Sequence, residues 1–258
     1  MLIKTIISYI RGLKKFKHDK KEYIRQKGND TFFEYDLSKE YKILQDYNES
    51  AGNIDSHYFF QDIFVAKYVL ENGFTHVYDI GSRIDGYISH LLAGGIRVTM
   101  IDIRPLQVDI ENLEFIQSNA TNLTEIQDNS LPIITCLHAI EHFGLGRYGD
   151  PIDYNGWKKA LHAFARKIVF SGILILSVPC SNADVLCFNA HRIFNPVTIF
   201  NEVSDLMKLE LFTVIRNHRA ESFSFADYEE AHTELVKIAK TLGKYDCGIF
   251  IFRKIFEL

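Results

Sequence analysis

The sequence predicts an α/β fold built on a doubly wound, mostly parallel sheet, and three observations carry that prediction. Strand-like and helix-like segments alternate from residue 75 onward. The first strand-like run ends in a glycine loop that leads into a helix, VYDIGSRIDGY. An acid, Asp102, closes the second run twenty-one residues after Gly81. Seven strands are expected, at residues 75–80, 97–101, 113–117, 133–137, 173–178, 209–215 and 248–253. Helices are expected at 56–73, capped by Ser56 and stopped by Gly73, at 86–93, briefly at 119–126, at 156–170 and at 225–242.

Ahead of this body, Leu2, Ile3, Ile6, Ile7, Ile10 and Leu13 recur at helical spacing among Lys4, Arg11, Lys14, Lys15 and Lys17. That pattern is a basic amphipathic helix, followed by a polar linker. The domain expectation is therefore 1–55 for this helix and linker and 56–258 for the α/β body. The apolar stretch is too short to span a bilayer and is broken by Lys4, and no signal-cleavage pattern follows. Such a helix can lie on an anionic membrane surface, or dock through residues 1–20 on the body or on a second subunit.

With 20 Phe and 13 Tyr among 258 residues, the chain has ample apolar surface to bury, which excludes disorder as its main state. The net charge of −4 conceals an asymmetry: residues 1–30 carry +6 and the rest −10. An acidic body excludes a generic nucleic-acid binder. Cys136, Cys180, Cys187 and Cys247 form no CxxC pair, which fits a reducing, cytoplasmic setting, at the inner face of a membrane if the helix binds lipid.

The glycine loop and the acid form a nucleoside-binding pattern. Gly81 lets the backbone approach a ligand, and Asp102 can accept hydrogen bonds from ribose hydroxyls. The dinucleotide pattern G-x-G-x-x-G is absent, since Ser82 and Arg83 follow Gly81.

In these segments the chain resembles the class I S-adenosylmethionine-dependent methyltransferases. Asp79-Ile80-Gly81-Ser82 is similar to their first motif. Asp102 resembles their ribose-binding acid, and Ser118-Asn119-Ala120 their adenine-edge motif. Residues 128–134 resemble the approach to their fourth strand, 136–142 the strand end that closes the cofactor pocket, and 172–179 their fifth strand. The resemblance implies a Rossmann-like seven-stranded sheet with an antiparallel last strand, and S-adenosylmethionine held by Asp79, Gly81, Ser82, Arg83, Asp102, Ile103, Asn119, Ala120 and Leu137. Arg83 stands where the family has a second glycine, and can pair with Asp79, Asp85 or the cofactor carboxylate. The strings DIGSRIDGY, IEHFGLGRYGDPID and FNAHRIF resemble, more narrowly, an uncharacterised methyltransferase-like family found with bacterial surface-glycan genes and in nematodes.

His138-x-x-Glu141-His142 follows the fourth strand and His191 the fifth, so the fold brings all four to one sheet edge. Methyl transfer is an in-line displacement in which the enzyme positions the acceptor and takes its proton, a task suited to histidine. Three readings stay open: a base or pocket wall, a purely structural role, and a divalent metal held by His138, Glu141, His142 and His191. The metal reading follows from a resemblance to methyltransferases that carry E-x-x-E-H here, with His138 in place of the first acid.

Residues 143–157, FGLGRYGDPIDYNGW, are long for a strand-to-helix connection. Aromatic rings that stack on sugars and carboxylates that bind hydroxyls point to acceptor binding by Arg147, Tyr148, Asp150, Asp153 and Trp157, with Arg192 nearby. The function expected is O-methylation of a sugar, glycan or other small hydroxylated acceptor with a histidine as base. The alternatives are a non-catalytic nucleoside-binding module of a glycan-assembly system and a metal-assisted O-methyltransferase. Tyr154-x-x-x-Lys158 matches a short-chain oxidoreductase pattern, but the nucleotide loop of that family is missing.

Overall fold

A computed structural model of the protein describes residues 2–33, 36–44, 46–48 and 57–255. The chain forms two compact units, Met1–Asn53 and Ile54–Leu258. Ser56, the expected helix cap, lies outside the described residues.

In the first unit, α1 (Leu2–Lys27) is a single helix of 26 residues, and Gly28, at a φ of 53°, follows it. Gly12 lies against the backbone of Leu44, where a Cβ would collide with the Leu44 carbonyl. Lys20 Nζ donates to Glu40 Oε2 at 2.8 Å. Short 3-10 turns at Leu37–Lys39 and Asp46–Asn48 occupy the expected linker. Ile6, Ile7 and Ile10 remain exposed. Among the described residues no helix is long and apolar enough to cross a membrane.

The second unit runs α2 (His57–Glu71), β1 (His76–Ile80), α3 (Tyr87–Ala93), β2 (Arg97–Asp102), β3 (Leu113–Gln117), β4 (Leu131–Leu137), α4 (Gly156–Lys167), β5 (Ile168–Cys180), β6 (Val185–Cys187), β7 (His191–Ile193), α5 (Pro196–Val203), β8 (Met207–Arg216), β9 (Arg219–Ser224), α6 (Tyr228–Ala239) and β10 (Asp246–Lys254). Eight strands form one sheet in the order β3-β2-β1-β4-β5-β10-β8-β9. The first five pair in parallel. β10 enters antiparallel between β5 and β8, and β9 is antiparallel to β8.

Alternation along the strands sends neighbouring side chains to opposite faces. Ile134, Leu174 and Phe250 face a core shared with Phe164 of α4, Phe200 of α5 and Leu235 of α6. Ile133, Ile175 and Ile249 face a second core shared with Val65 and Val69 of α2 and Ile88 and Leu91 of α3. Each of these fully buried side chains contributes about 1.5–3 kcal/mol. The central apolar runs read as strands in the sequence are thus buried on both faces.

The structure corrects four expectations. The sheet has eight strands rather than seven. The extra strand, β9, is an exposed edge whose sequence RAESFS lacks apolar alternation; Asn217 and His218, at φ of 48° and 62°, make its tight turn with β8. Residues 119–126 are successive turns, with no helix. The helix expected over 156–170 ends at Lys167, because the β-branched pair Ile168-Val169 already belongs to β5. Helix α5 was not expected, although Asn195 caps it by accepting from Val197 N at 3.0 Å and Pro196 opens it.

Candidate active site

The carboxyl ends of β1, β2 and β4 open into a cleft of about 850 Å³, and most of the predicted site residues line it. Its floor is made by two backbone specialisations. Gly81 follows β1 at a φ of 77°, and its N–H donates to Ile101 O at 2.9 Å. A Cβ there would stand 2.7 Å from the Ala139 Cβ. His138 follows β4 at a φ of 48°, an uncommon conformation for a residue with a side chain. Its N–H is held by Ser177 of β5, through the carbonyl at 3.0 Å and Oγ at 3.1 Å. Ser177 Oγ in turn donates to Gln61 Oε1 of α2 at 2.6 Å.

Asp79 is fully buried below the cleft. It accepts from Thr135 Oγ1 at 2.7 Å and from the Ser82 N–H at 3.3 Å. Burial outweighs these donors and pushes its carboxyl up to about 6. Arg83 lines the cleft mouth, is largely exposed and pairs with Asp85 at 3.1 Å rather than with Asp79. Asn119, Ala120, Ile103 and Leu137 lie on the cleft wall.

Asp102 sits at the end of β2 and is bound by Arg104: the guanidinium donates to Oδ1 at 3.0 Å and to Oδ2 at 2.6 Å. Arg104 also stacks over Tyr148, 4.6 Å from the ring centroid, and Arg147 approaches the same ring at 5.1 Å. The loop after β4 therefore reaches across to Arg104, the partner of Asp102.

Within that loop, Asp150 holds the backbone by accepting from the N–H groups of Gly144, Gly146 and Tyr148. Asp153 accepts from Asn155 N and from Lys159 Nζ. Arg147 donates to Ala190 O at 2.8 Å. Two predicted acceptor residues do not line the cleft. Trp157 is buried in the core against Phe194, its ring centroid 5.1 Å away. Arg192 braces the backbone, donating to Phe143 O at 2.7 Å and to Glu141 O and Tyr154 O at 3.4 Å.

The histidine cluster converges around Glu141, which is 1% exposed. His138 Nδ1 lies 3.0 Å from Glu141 Oε1. A carboxylate accepts only, so Nδ1 carries the proton, which in the neutral ring leaves Nε2 as the acceptor. His142 Nε2 is 3.8 Å from the same oxygen, while its Nδ1 donates to Ala190 O at 2.6 Å. Burial depresses the basicity of His142. His191 stands edge-on to His142 at 6.5 Å between ring centroids. Among the described residues no group of three or more His, Cys, Asp or Glu side chains is arranged to hold a metal ion, so the residues present do not fit the expected divalent ion.

Several site residues escaped the sequence reading. His57 and Tyr58 come from the start of α2, and Tyr245 from the segment before β10. His57 stacks on His138 at 4.5 Å, Tyr58 meets His138 edge-on at 5.1 Å, and Tyr245 meets His191 at 5.3 Å. Because β10 runs antiparallel to β5, its first residue pairs with Cys180, which brings Tyr245 to the carboxyl edge. Only that reversal carries the signal.

This architecture recurs in solved methyltransferase structures. A Burkholderia thailandensis 1,6-didemethyltoxoflavin-N1-methyltransferase, with 1,6-didemethyltoxoflavin and S-adenosylhomocysteine bound, superposes with a TM-score of 0.53 at 13% identity, over 78% of this chain and 80% of that one. A Haemonchus contortus phosphoethanolamine N-methyltransferase, in complex with phosphomonomethylethanolamine and S-adenosylhomocysteine, gives 0.51 at 13% identity, over 77% of this chain and 53% of that one. At such identities the likeness establishes a common fold, the Rossmann-like fold of class I methyltransferases. No match to the chain is found among curated proteins. A family profile matches residues 87–241, more than half of the chain, under the description Caenorhabditis protein of unknown function, DUF268. The chain belongs to that DUF268 family.

Proposed function

We propose that this protein is an S-adenosylmethionine-dependent methyltransferase acting on a small hydroxylated acceptor, a sugar or glycan among them. One observation carries the reading. A single cleft joins a nucleoside-type end, formed by Gly81, Asp102, Asn119 and Ala120, to a buried carboxylate–imidazole pair, Glu141 and His138.

The cofactor fits the residues present. Gly81 keeps the floor clear of a side chain, Asp102 supplies a ribose acceptor once Arg104 yields it, and Asn119 and Ala120 stand at the adenine edge. The cofactor supplies a methyl group on a positively charged sulfur. The protein's own residues do the rest. Glu141 fixes the His138 ring and its tautomer. His138 Nε2 has no partner among the described residues and takes the proton of the acceptor hydroxyl. His57, Tyr58 and Tyr245 crowd the same corner and exclude water.

A second reading is a nucleoside-binding module without catalysis, in which the same cleft holds the nucleoside and no transfer follows. Incubation with S-adenosylmethionine and a panel of nucleotide sugars separates the two. A mass gain of one methylene on any of them supports the enzyme. Cofactor binding without transfer to any acceptor supports the module. The bacterial glycan association and a cytoplasmic place beside a membrane belong to this proposal. The exposed Ile6, Ile7 and Ile10 on the lysine-rich α1 support the membrane side of it.

A further inference from the structure

Among the described residues, the buried polar atoms without a partner include Glu141 Oε2 and His138 Nε2 on the cleft lining and Nε2 of His57, whose ring stacks on His138. Glu141 is the charged one. Its side-chain neighbours among the described residues are imidazoles, His138 at 3.0 Å and His142 at 3.8 Å. The two guanidinium groups nearby are engaged with carbonyls: Arg192 with those of Glu141, Phe143 and Tyr154, and Arg147 with that of Ala190. A buried carboxylate oxygen without a donor is costly, and a site that keeps one is shaped for a ligand that brings the donor.

The surroundings specify the charge of that ligand. His57 lies 4.6 Å from Tyr58 and 5.9 Å from Tyr245 between ring centroids, and His138 packs against both His57 and Tyr58. Burial drives the basicity of His57 down to about 4, so the ring is neutral at neutral pH. Burial, reinforced by Glu141, raises the phenols of Tyr58 and Tyr245, so both stay protonated. One carboxylate set among neutral aromatic rings is the chemistry that recognises an organic cation. A metal ion is the wrong occupant, since no three donors converge here among the described residues.

We propose that Glu141, with the rings of His57, Tyr58 and Tyr245, forms a subsite for a protonated amine on the acceptor. The acceptor class is then a hydroxylated amine, such as an amino sugar or an amino alcohol, with the ammonium donating to Glu141 Oε2. This deepens the methyltransferase reading and rests on it. The nucleoside end of the cleft lies at β1 and β2, whereas this corner is supplied by α2, the turn after β4 and the segment before β10.

The test is calorimetry with named probes. Glucosamine and glucose, and separately ethanolamine and ethylene glycol, are titrated into wild-type protein with and without saturating S-adenosylhomocysteine. The expected result is that each amine binds at least about tenfold more tightly than its neutral analogue. In Glu141→Gln the preference should disappear while S-adenosylhomocysteine affinity stays within about threefold. Tyr245→Leu, which leaves the buried carboxylate in place, should weaken amine binding severalfold and serves if Glu141→Gln does not fold. Equal affinity for amine and neutral probe, or no binding of either, overturns the proposal. So does a preference that survives in Glu141→Gln. If that variant instead weakens S-adenosylmethionine but not S-adenosylhomocysteine or the amines, the cation served is the sulfonium, and the amine subsite is also overturned. Failure of S-adenosylhomocysteine to bind wild type sinks the cofactor reading alone, because the probe comparison without it still stands.

Discussion

The imidazole of His138 lies 3.0 Å from the carboxylate of Glu141, Nδ1 to Oε1, and the two residues are 7% and 1% exposed. The contact spans one tight turn at the carboxyl end of β4. Its geometry depends on a left-handed backbone at His138 that the Ser177 carbonyl and hydroxyl hold in place. A non-glycine residue kept at a positive φ beside a cleft is strain of the kind found at working sites.

If this pair moves the proton, His138→Ala should lower kcat by about 10²–10⁴-fold while the dissociation constant for S-adenosylmethionine changes little. His142→Ala should have a smaller effect, because its Nδ1 is held by a neutral carbonyl rather than a carboxylate and its Nε2 faces Glu141 at 3.8 Å. Steady-state kinetics with separate calorimetry of the cofactor checks both. Wild-type turnover in His138→Ala would remove the base from the account.

Asp79 gives a stability prediction with a definite sign. Its folded carboxyl titrates at about 6 against an ordinary 3.8, so the folded state binds the proton more tightly than the unfolded state. The contribution is therefore full below pH 3.8 and is lost as pH rises toward 6, by about 3 kcal/mol. Denaturant unfolding of wild type and Asp79→Asn across that window should show a difference that shifts by this order in favour of the variant as pH rises. Parallel profiles would mean that Asp79 is not titrating where its burial places it.

Gly81→Ala joins two penalties, a φ of 77° and a Cβ contact of 2.7 Å with Ala139. A loss of about 1–3 kcal/mol in stability is expected, together with weakened nucleoside binding, since the new methyl enters the cleft floor. Chemical denaturation and calorimetry on the same preparation measure both. A variant as stable as wild type would show that the loop relaxes freely.

Arg104 holds the carboxylate of Asp102, the proposed ribose acceptor. Replacing it by Ala should tighten S-adenosylhomocysteine binding severalfold, because a partly exposed pair of this kind is worth about 1 kcal/mol or less and need no longer be broken. Weaker binding in Arg104→Ala would mean that the guanidinium itself contacts the ligand.

The parts of this fold that the sequence made legible share a physical cause. The strands β1, β2, β4 and β5 lie between two helical layers, so they read as apolar runs closed by turn residues, and the loop at Gly81 announces itself because its backbone needs glycine. The edge strand β9 was hidden because neither of its faces is well buried. Trp157 was read as a ligand surface because composition alone does not distinguish a ring exposed in a cleft from one packed on Phe194. His57, Tyr58 and Tyr245 were hidden for a different reason. They lie far from the histidine motif in sequence, and only the placement of α2 and the reversal of β10 bring them to it.

Calorimetric titration of S-adenosylmethionine and S-adenosylhomocysteine into wild type and Asp102→Ala measures whether the cleft binds the nucleoside cofactor through Asp102. The account predicts saturable one-to-one binding to wild type and a loss of affinity of at least about tenfold in the variant, the loss expected for a buried charge-assisted contact. Equal affinity in the two proteins, or no binding to wild type, would contradict it.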